Sequence, residues 1–166
     1  MDVAFADLDF PALDAAEFEA LVLWVPPEER PLRGLAGLCD WRLCGTLSRI
    51  LSEGWYSAGP GEVLLVPSGG RLAARRLFAF GLGEPAGRQG QIERLLPRAL
   101  SALSRARVES AAFAVPWPGL DLSTSLSLWA RSAPGGPARQ LLLGPAEAIG
   151  RWLAENRGRV AGLAAG

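Results

Sequence analysis

The sequence predicts a single three-layer α/β/α domain over residues 1–166, with a largely parallel or mixed sheet between helices. Three observations carry this. Short continuous apolar runs such as Ala20–Val25 (ALVLWV) read as strands buried on both faces. Longer stretches with apolar residues at helical spacing alternate with those runs. The chain, 166 residues and 49% apolar, is long enough to bury a real core.

Taken in order, Val3–Phe10 alternates weakly and suits an edge-like first strand. Pro11–Glu17 forms a turn or a short helix. Ala20–Val25 is a buried strand, stopped by Pro26 and Pro27, which cannot donate to a ladder. Leu35, Cys39, Leu43, Leu47, Ile50 and Leu51 make one helical stripe, with Gly45 inside the helix and Gly54 as its C-terminal cap. The turn Ser57–Gly61 feeds a strand over Glu62–Val66, and Ser68–Gly70 turns the chain into a strand over Arg75–Phe80. The two strands are spaced as hairpin neighbours with a connection longer than a tight turn.

Ile92, Leu95, Leu96, Ala99, Leu100 and Leu103 form a second stripe. Pro97 inside it predicts a kink or a start near Arg94. Ala111–Val115 is a buried strand broken by Pro116-Trp117-Pro118-Gly119, and Asp121 or Ser123 caps a helix through Trp129. Ser132–Pro137 is a loop and Gln140–Leu143 a short strand. Pro145 opens a last helix with Ile149, Trp152 and Leu153 inward, and Arg157–Gly166 is a frayed tail.

Composition removes whole classes of chemistry. Histidine is absent, which excludes Ser-His-Asp and Cys-His apparatus and HExxH zinc sites. All 17 basic residues are arginine, so Schiff bases, Ser-Lys dyads and lysine phosphate loops are excluded too. Cys39 and Cys44, five apart in the expected helix, make no zinc ribbon and read as reduced, buried thiols of a cytoplasmic protein. The N-terminus is acidic, unlike a signal peptide, and no apolar run reaches membrane-span length.

Net charge is zero, which argues against nucleic acid as a partner. The charges are nevertheless uneven. Residues 1–30 hold eight carboxylates against Arg30, and residues 71–107 hold eight arginines against Glu84 and Glu93. Either the surface is dipolar, or both runs are solvated element faces.

Two sets of residues stand out as candidate sites. Gly81-Leu82-Gly83 follows a strand, but Gly87 comes too late for a dinucleotide fingerprint. Pro116–Gly119 lies at a strand end before a helix, where backbone amides suit a phosphate and Trp117 suits a base. Gly81, Gly83, Trp117, Gly119 and Ser123 are therefore candidate ligand residues, against a plain packing turn. Among six tryptophans, Trp41 and the Trp55-Tyr56 pair lie off the main stripe and are candidate interface residues, against burial in a second layer.

The run Asp40-x-x-Leu43-x-Gly45-x-Leu47-x-x-x-Leu51, then Gly54, Gly59, Gly61-Glu62, LLVP and RRLFAFGLG, resembles the N-terminal domain of M17 leucyl aminopeptidases. The resemblance implies a fold similar to macro domains. In that family the peptidase site lies in a separate C-terminal domain, with two metals held by a lysine and carboxylates. This chain is expected to end before such a domain begins, so no catalytic residue or cofactor carries over. The Gly-Gly-Gly-Val loop of ADP-ribose binders is also missing; Leu35–Gly45 is its nearest segment. The resemblance implies a non-catalytic module for protein interaction or self-association. The alternatives are a macro-like binder of a nucleotide or ADP-ribose derivative and, third, a DNA-binding regulator.

Overall fold

The computed structural model describes residues 1–15 and 17–158, so the tail expected over Arg157–Gly166 lies outside the described residues from position 159 onward. Six strands, β1 (Asp2–Ala6), β2 (Ala20–Val25), β3 (Val63–Pro67), β4 (Arg76–Gly81), β5 (Ser110–Ala114) and β6 (Arg139–Leu143), form one sheet in the order β1-β6-β5-β2-β4-β3. All neighbours are parallel except β3, which runs antiparallel to β4 in the register Val63↔Phe80 to Pro67↔Arg76. The fold is the expected three-layer mixed α/β/α sandwich, and the two spaced strands are indeed a hairpin pair.

Helices cover both faces. α1 (Phe10–Ala15), α2 (Gly34–Arg42) and α3 (Thr46–Ser52) lie over one; α4 (Arg88–Arg105), α5 (Leu122–Ser132) and α6 (Ala146–Glu155) lie over the other. The alternation of strand side chains decides which core each residue joins. Ala20, Val22 and Trp24 of β2 pack with Phe78, Phe80 and Phe113 under α4–α6, whereas Leu21, Leu23 and Val25 pack with Leu35, Cys39 and Leu47 under α1–α3. β2 is buried at every residue, which is why its sequence has no polar alternation.

Four local expectations change. The first strand stops at Ala6, and the apolar residues at 8–10 belong to a bend and to α1. The single helix through Gly45 is two helices. Cys44 (φ 54°) and Gly45 (φ 75°) adopt left-handed backbone, and the Cys44 and Gly45 amides close α2 on the Trp41 and Asp40 carbonyls. A stripe at helical spacing survives this break because both helices lie on the same sheet face. Cys44 is consequently exposed rather than buried, while Cys39 stays in the core. Finally, α4 begins at Arg88 rather than near Arg94, with Pro97 inside it. Pro97 faces solvent, where water can satisfy the carbonyl it leaves free.

Asp40 joins the two short helices. Its Oδ1 accepts from the Leu47 and Ser48 amides at 2.8 and 3.2 Å, and its Oδ2 bonds the Ser48 hydroxyl. Gly45 has no side chain with which to cap α3, so a residue in the last turn of α2 does it. Gly54 ends α3 as expected: its amide and that of Trp55 donate to the Leu51 and Ile50 carbonyls.

Candidate functional site

The carboxyl ends of β2, β4 and β5 open at one end of the sheet, and three loops surround them: residues 26–33, 82–87 and 115–121. Arg88 gathers these loops. It is 7% exposed, and its Nη2 donates to Glu28 Oε1 at 2.8 Å and to the Gly83 carbonyl at 3.1 Å. Its side chain also stops Gly119 from bearing a Cβ freely, since that atom would lie 3.3 Å from Arg88 Cγ. Sequence reasoning missed Arg88. Its one signal was position: an arginine at the start of a helix opposes the dipole and so points to a tertiary task.

Gly81 and Gly83 serve packing at this end. A Cβ on Gly81 would stand 2.2 Å from the Gly59 carbonyl oxygen, and one on Gly83 would stand 2.4 Å from Pro60 Cγ. The Gly83 amide is already given to the Ala58 carbonyl. The Ser57–Gly61 turn that presses on them is held by Glu62, whose carboxylate accepts from the Ser57 hydroxyl and from the Ser57 and Gly59 amides. These bonds, led by the Ser57 hydroxyl, hold the Glu62 carboxyl below the usual glutamate range.

A cleft of about 210 Å³ is lined by Val22, Trp24, Leu35, Val115, Pro116 and Trp117 among others, with Glu29 and Arg33 also on its walls; Gly81 and Gly83 do not line it. Trp117 is fully buried and meets Trp24 edge-on at 5.7 Å. The indole N–H groups of both tryptophans are buried and have no hydrogen-bond partner among the described residues. Buried donors of this kind are rare and costly. The Trp117 amide is satisfied by the Ser125 hydroxyl at 3.1 Å. Ser123 is exposed on α5, and Asp121, not Ser123, caps that helix through the Thr124 amide at 2.8 Å. Of the five candidate ligand residues, only Trp117 lines the cleft; Gly83 and Gly119 lie against Arg88, Gly81 is packed under the 58–60 turn, and Ser123 is exposed on α5.

The candidate interface residues divide differently. Trp55 is 79% and Trp41 67% exposed. Trp41 rests partly on Phe10, ring centres 5.1 Å apart, with Arg42 over the Phe10 ring and paired with Asp14. Tyr56, by contrast, is 2% exposed, and its hydroxyl donates to the Ala79 carbonyl at 3.3 Å. It belongs to the core and is unavailable to a partner, because the chain turns inward directly after Trp55. Val63 and Leu65 of β3, which sequence reasoning placed in a buried strand, are exposed by 50% and 54%.

The two charge runs meet as pairs in places: Glu19 with Arg76 at 3.3 Å and Glu28 with Arg88 at 2.8 Å. Among the described residues, no three His, Cys, Asp or Glu side chains converge as metal ligands, and no helix is long and apolar enough to cross a membrane.

Residues 20–133 match the cytosol aminopeptidase family, N-terminal domain. No curated protein sequence matches the chain. Among solved structures, the macrodomain of Thermus aquaticus DarG is similar at 16% identity and TM-score 0.64, over 86% of this chain and 97% of that one. A mutant of tomato leucine aminopeptidase is similar at 16% identity and TM-score 0.63, over 93% of this chain but only 35% of the tomato chain. An Oceanobacillus iheyensis macrodomain with ADP is similar at 11% identity and TM-score 0.66, over 96% and 90%. At these identities the likeness establishes a shared fold.

Proposed function

Since the chain belongs to the family of cytosol aminopeptidase N-terminal domains, we propose that it acts as a non-catalytic module that binds protein, either another chain or itself. The carrying observation is the set of large apolar side chains left in water: Trp55, Trp41, Val63 and Leu65. Trp55 is the extreme case and leads directly into the turn before β3. Exposed tryptophan in a rigid setting is the usual anchor of a protein contact. Peptidase chemistry needs a metal-bound water and donors for the developing oxyanion. The lack of histidine and lysine, and of converging ligands among the described residues, supports a role without hydrolysis.

The test is the molar mass of the purified chain by light scattering across a concentration series, with Trp55→Ser beside it. A mass above one chain that falls in Trp55→Ser supports the reading. Monomers throughout, with no partner retained on the immobilised chain that Trp55→Ser fails to retain, would refute it, as would chelator-sensitive cleavage of leucine amides.

A second reading has its own support. The rings of Trp24 and Trp117 on the wall of the strand-end cleft suit a planar group of a ligand. At about 210 Å³ the cleft is below the usual range of small-molecule sites, so it fits one ring or one polar group of a nucleotide such as ADP rather than the whole. Quenching of tryptophan fluorescence and a rise in melting temperature with millimolar ADP or ADP-ribose would support this. No change in either would remove it.

A further inference from the structure

Among the described residues β3 ends the sheet, and the hydrogen bonds around it fix which of its peptide groups have no partner there. The Gly81 amide donates to the Glu62 carbonyl at 2.8 Å, and the Ser68 amide donates to the Arg75 carbonyl at 3.0 Å. In an antiparallel ladder the bonded positions alternate. Leu64 and Val66 therefore direct their peptide groups to β4, in register with Ala79 and Leu77. Val63, Leu65 and Pro67 direct theirs away from the sheet. The same Val63 and Leu65 also leave their side chains half exposed. No charge stands between Val63 and Pro67 to protect the edge, and Pro67 blocks only its last position.

Resting on the protein-binding reading above, we propose that the occupant of this edge is a second copy of the chain, its β3 antiparallel to the first about a two-fold axis at Leu64. In that register Val63 faces the partner's Leu65 and the reverse, which gives four backbone hydrogen bonds between positions that have no partner among the described residues. Leu64 faces the partner's Leu64 as a non-bonded pair. Pro67, which has no N–H, comes opposite the partner's Gly61, whose N–H is already given to the Gly81 carbonyl at 3.1 Å. The ladder thus ends where neither strand has a donor to waste. Charge also selects this arrangement. The amino end of β3 carries Glu62, and the turn after its carboxyl end carries Arg71 and Arg75. Antiparallel pairing sets each acidic end beside the partner's basic turn, whereas a parallel pairing would set like ends together. A five-residue edge buries less than the roughly 800 Å² per partner of a standard interface, so the dimer is weak and concentration-dependent.

Leu65→Pro removes an N–H that faces away from β4, so it leaves the β3–β4 ladder intact. Leu65→Arg does the same work by charge if the proline variant fails to fold. Light scattering should show dimers of the native chain forming with concentration, and the dissociation constant should rise at least tenfold in either variant with circular dichroism unchanged. Leu64→Cys in a Cys44→Ser background should give a covalent dimer on mild oxidation, because this register sets the two positions opposite each other as a non-bonded pair within disulfide range. A native chain that stays monomeric, or a dimer unaffected by both Leu65 variants and not cross-linked through position 64, would overturn the proposal. Association that survives the Leu65 variants but is lost in Trp55→Ser would overturn the edge pairing and leave the protein-binding reading standing.

Discussion

Asp40→Ala removes the joint between α2 and α3, and its cost follows from the hydrogen bonds. One carboxylate satisfies two α3 amides and the Ser48 hydroxyl, and it sits where a helix dipole favours negative charge. Loss of an N-cap acceptor costs about 1 kcal/mol, within a range of roughly 0.5–2. Loss of the negative charge at a helix N-terminus adds about 0.3–1 kcal/mol, the range for a charge still in reach of solvent. The expected total is about 2 kcal/mol. For a chain of this size that is a fall in Tm of about 4–8 °C. Asp40→Asn keeps an acceptor and loses the charge, so it should cost about half as much. Both variants are read by thermal and urea unfolding, where the urea midpoint should move with no change in slope. If Asp40→Ala is neutral within error, or Asp40→Asn is as damaging as Asp40→Ala, the capping account is wrong.

Three further expectations concern Gly81, the two cysteines and Glu62. Gly81→Ala should destabilise by about 3 kcal/mol or more, since its methyl group would meet the backbone of Ala58 and Gly59 at 2.2–2.6 Å and nothing there is free to move; unfolding by urea measures it. A thiol reagent should modify one cysteine per native chain and two per unfolded chain, because Cys44 is exposed while burial pushes the Cys39 thiol up to about 12; Cys44→Ser should abolish the native reaction. Glu62 has a folded pKa below its unfolded one, so it contributes stability above the ordinary glutamate value of about 4.3, and that contribution is lost as pH falls through the folded value. The stability gap between the native chain and Glu62→Gln should therefore narrow on acidification, and a gap constant from pH 7 to pH 3 would contradict the role given to Ser57.

The fold was legible because its strands are pure apolar runs and its long helix has a clean stripe: Ala20–Val25 and Ile92–Leu103 could hardly be read otherwise. The break at Cys44-Gly45 was not, because helical spacing continues across it, and the cap comes from Asp40, seven residues before the amide it satisfies first. The Asp40, Gly45 and Leu47 motif is thus a device for joining two helices. The site was less legible still. Glycines after a strand read alike whether they free amides for a ligand or admit a neighbouring turn, and only the 2.2 Å approach of Gly59 to a Cβ on Gly81 separates the two. Tyr56 and Trp55 are adjacent in sequence yet differ wholly in exposure, a distinction set by the turn between α3 and β3. Arg88 gave almost no sign, since its partners Glu28 and Gly83 come from two different loops.

The central claim is that this domain works through a contact surface that includes the outward edge of β3. Amide hydrogen exchange at Val63, Leu64, Leu65 and Val66, followed over a range of protein concentration, tests it most directly. Leu64 and Val66 donate within the sheet and should be protected at every concentration, while Val63 and Leu65 should exchange rapidly in dilute solution and become protected as the chain is concentrated. Rapid exchange at Val63 and Leu65 at all concentrations would contradict the account.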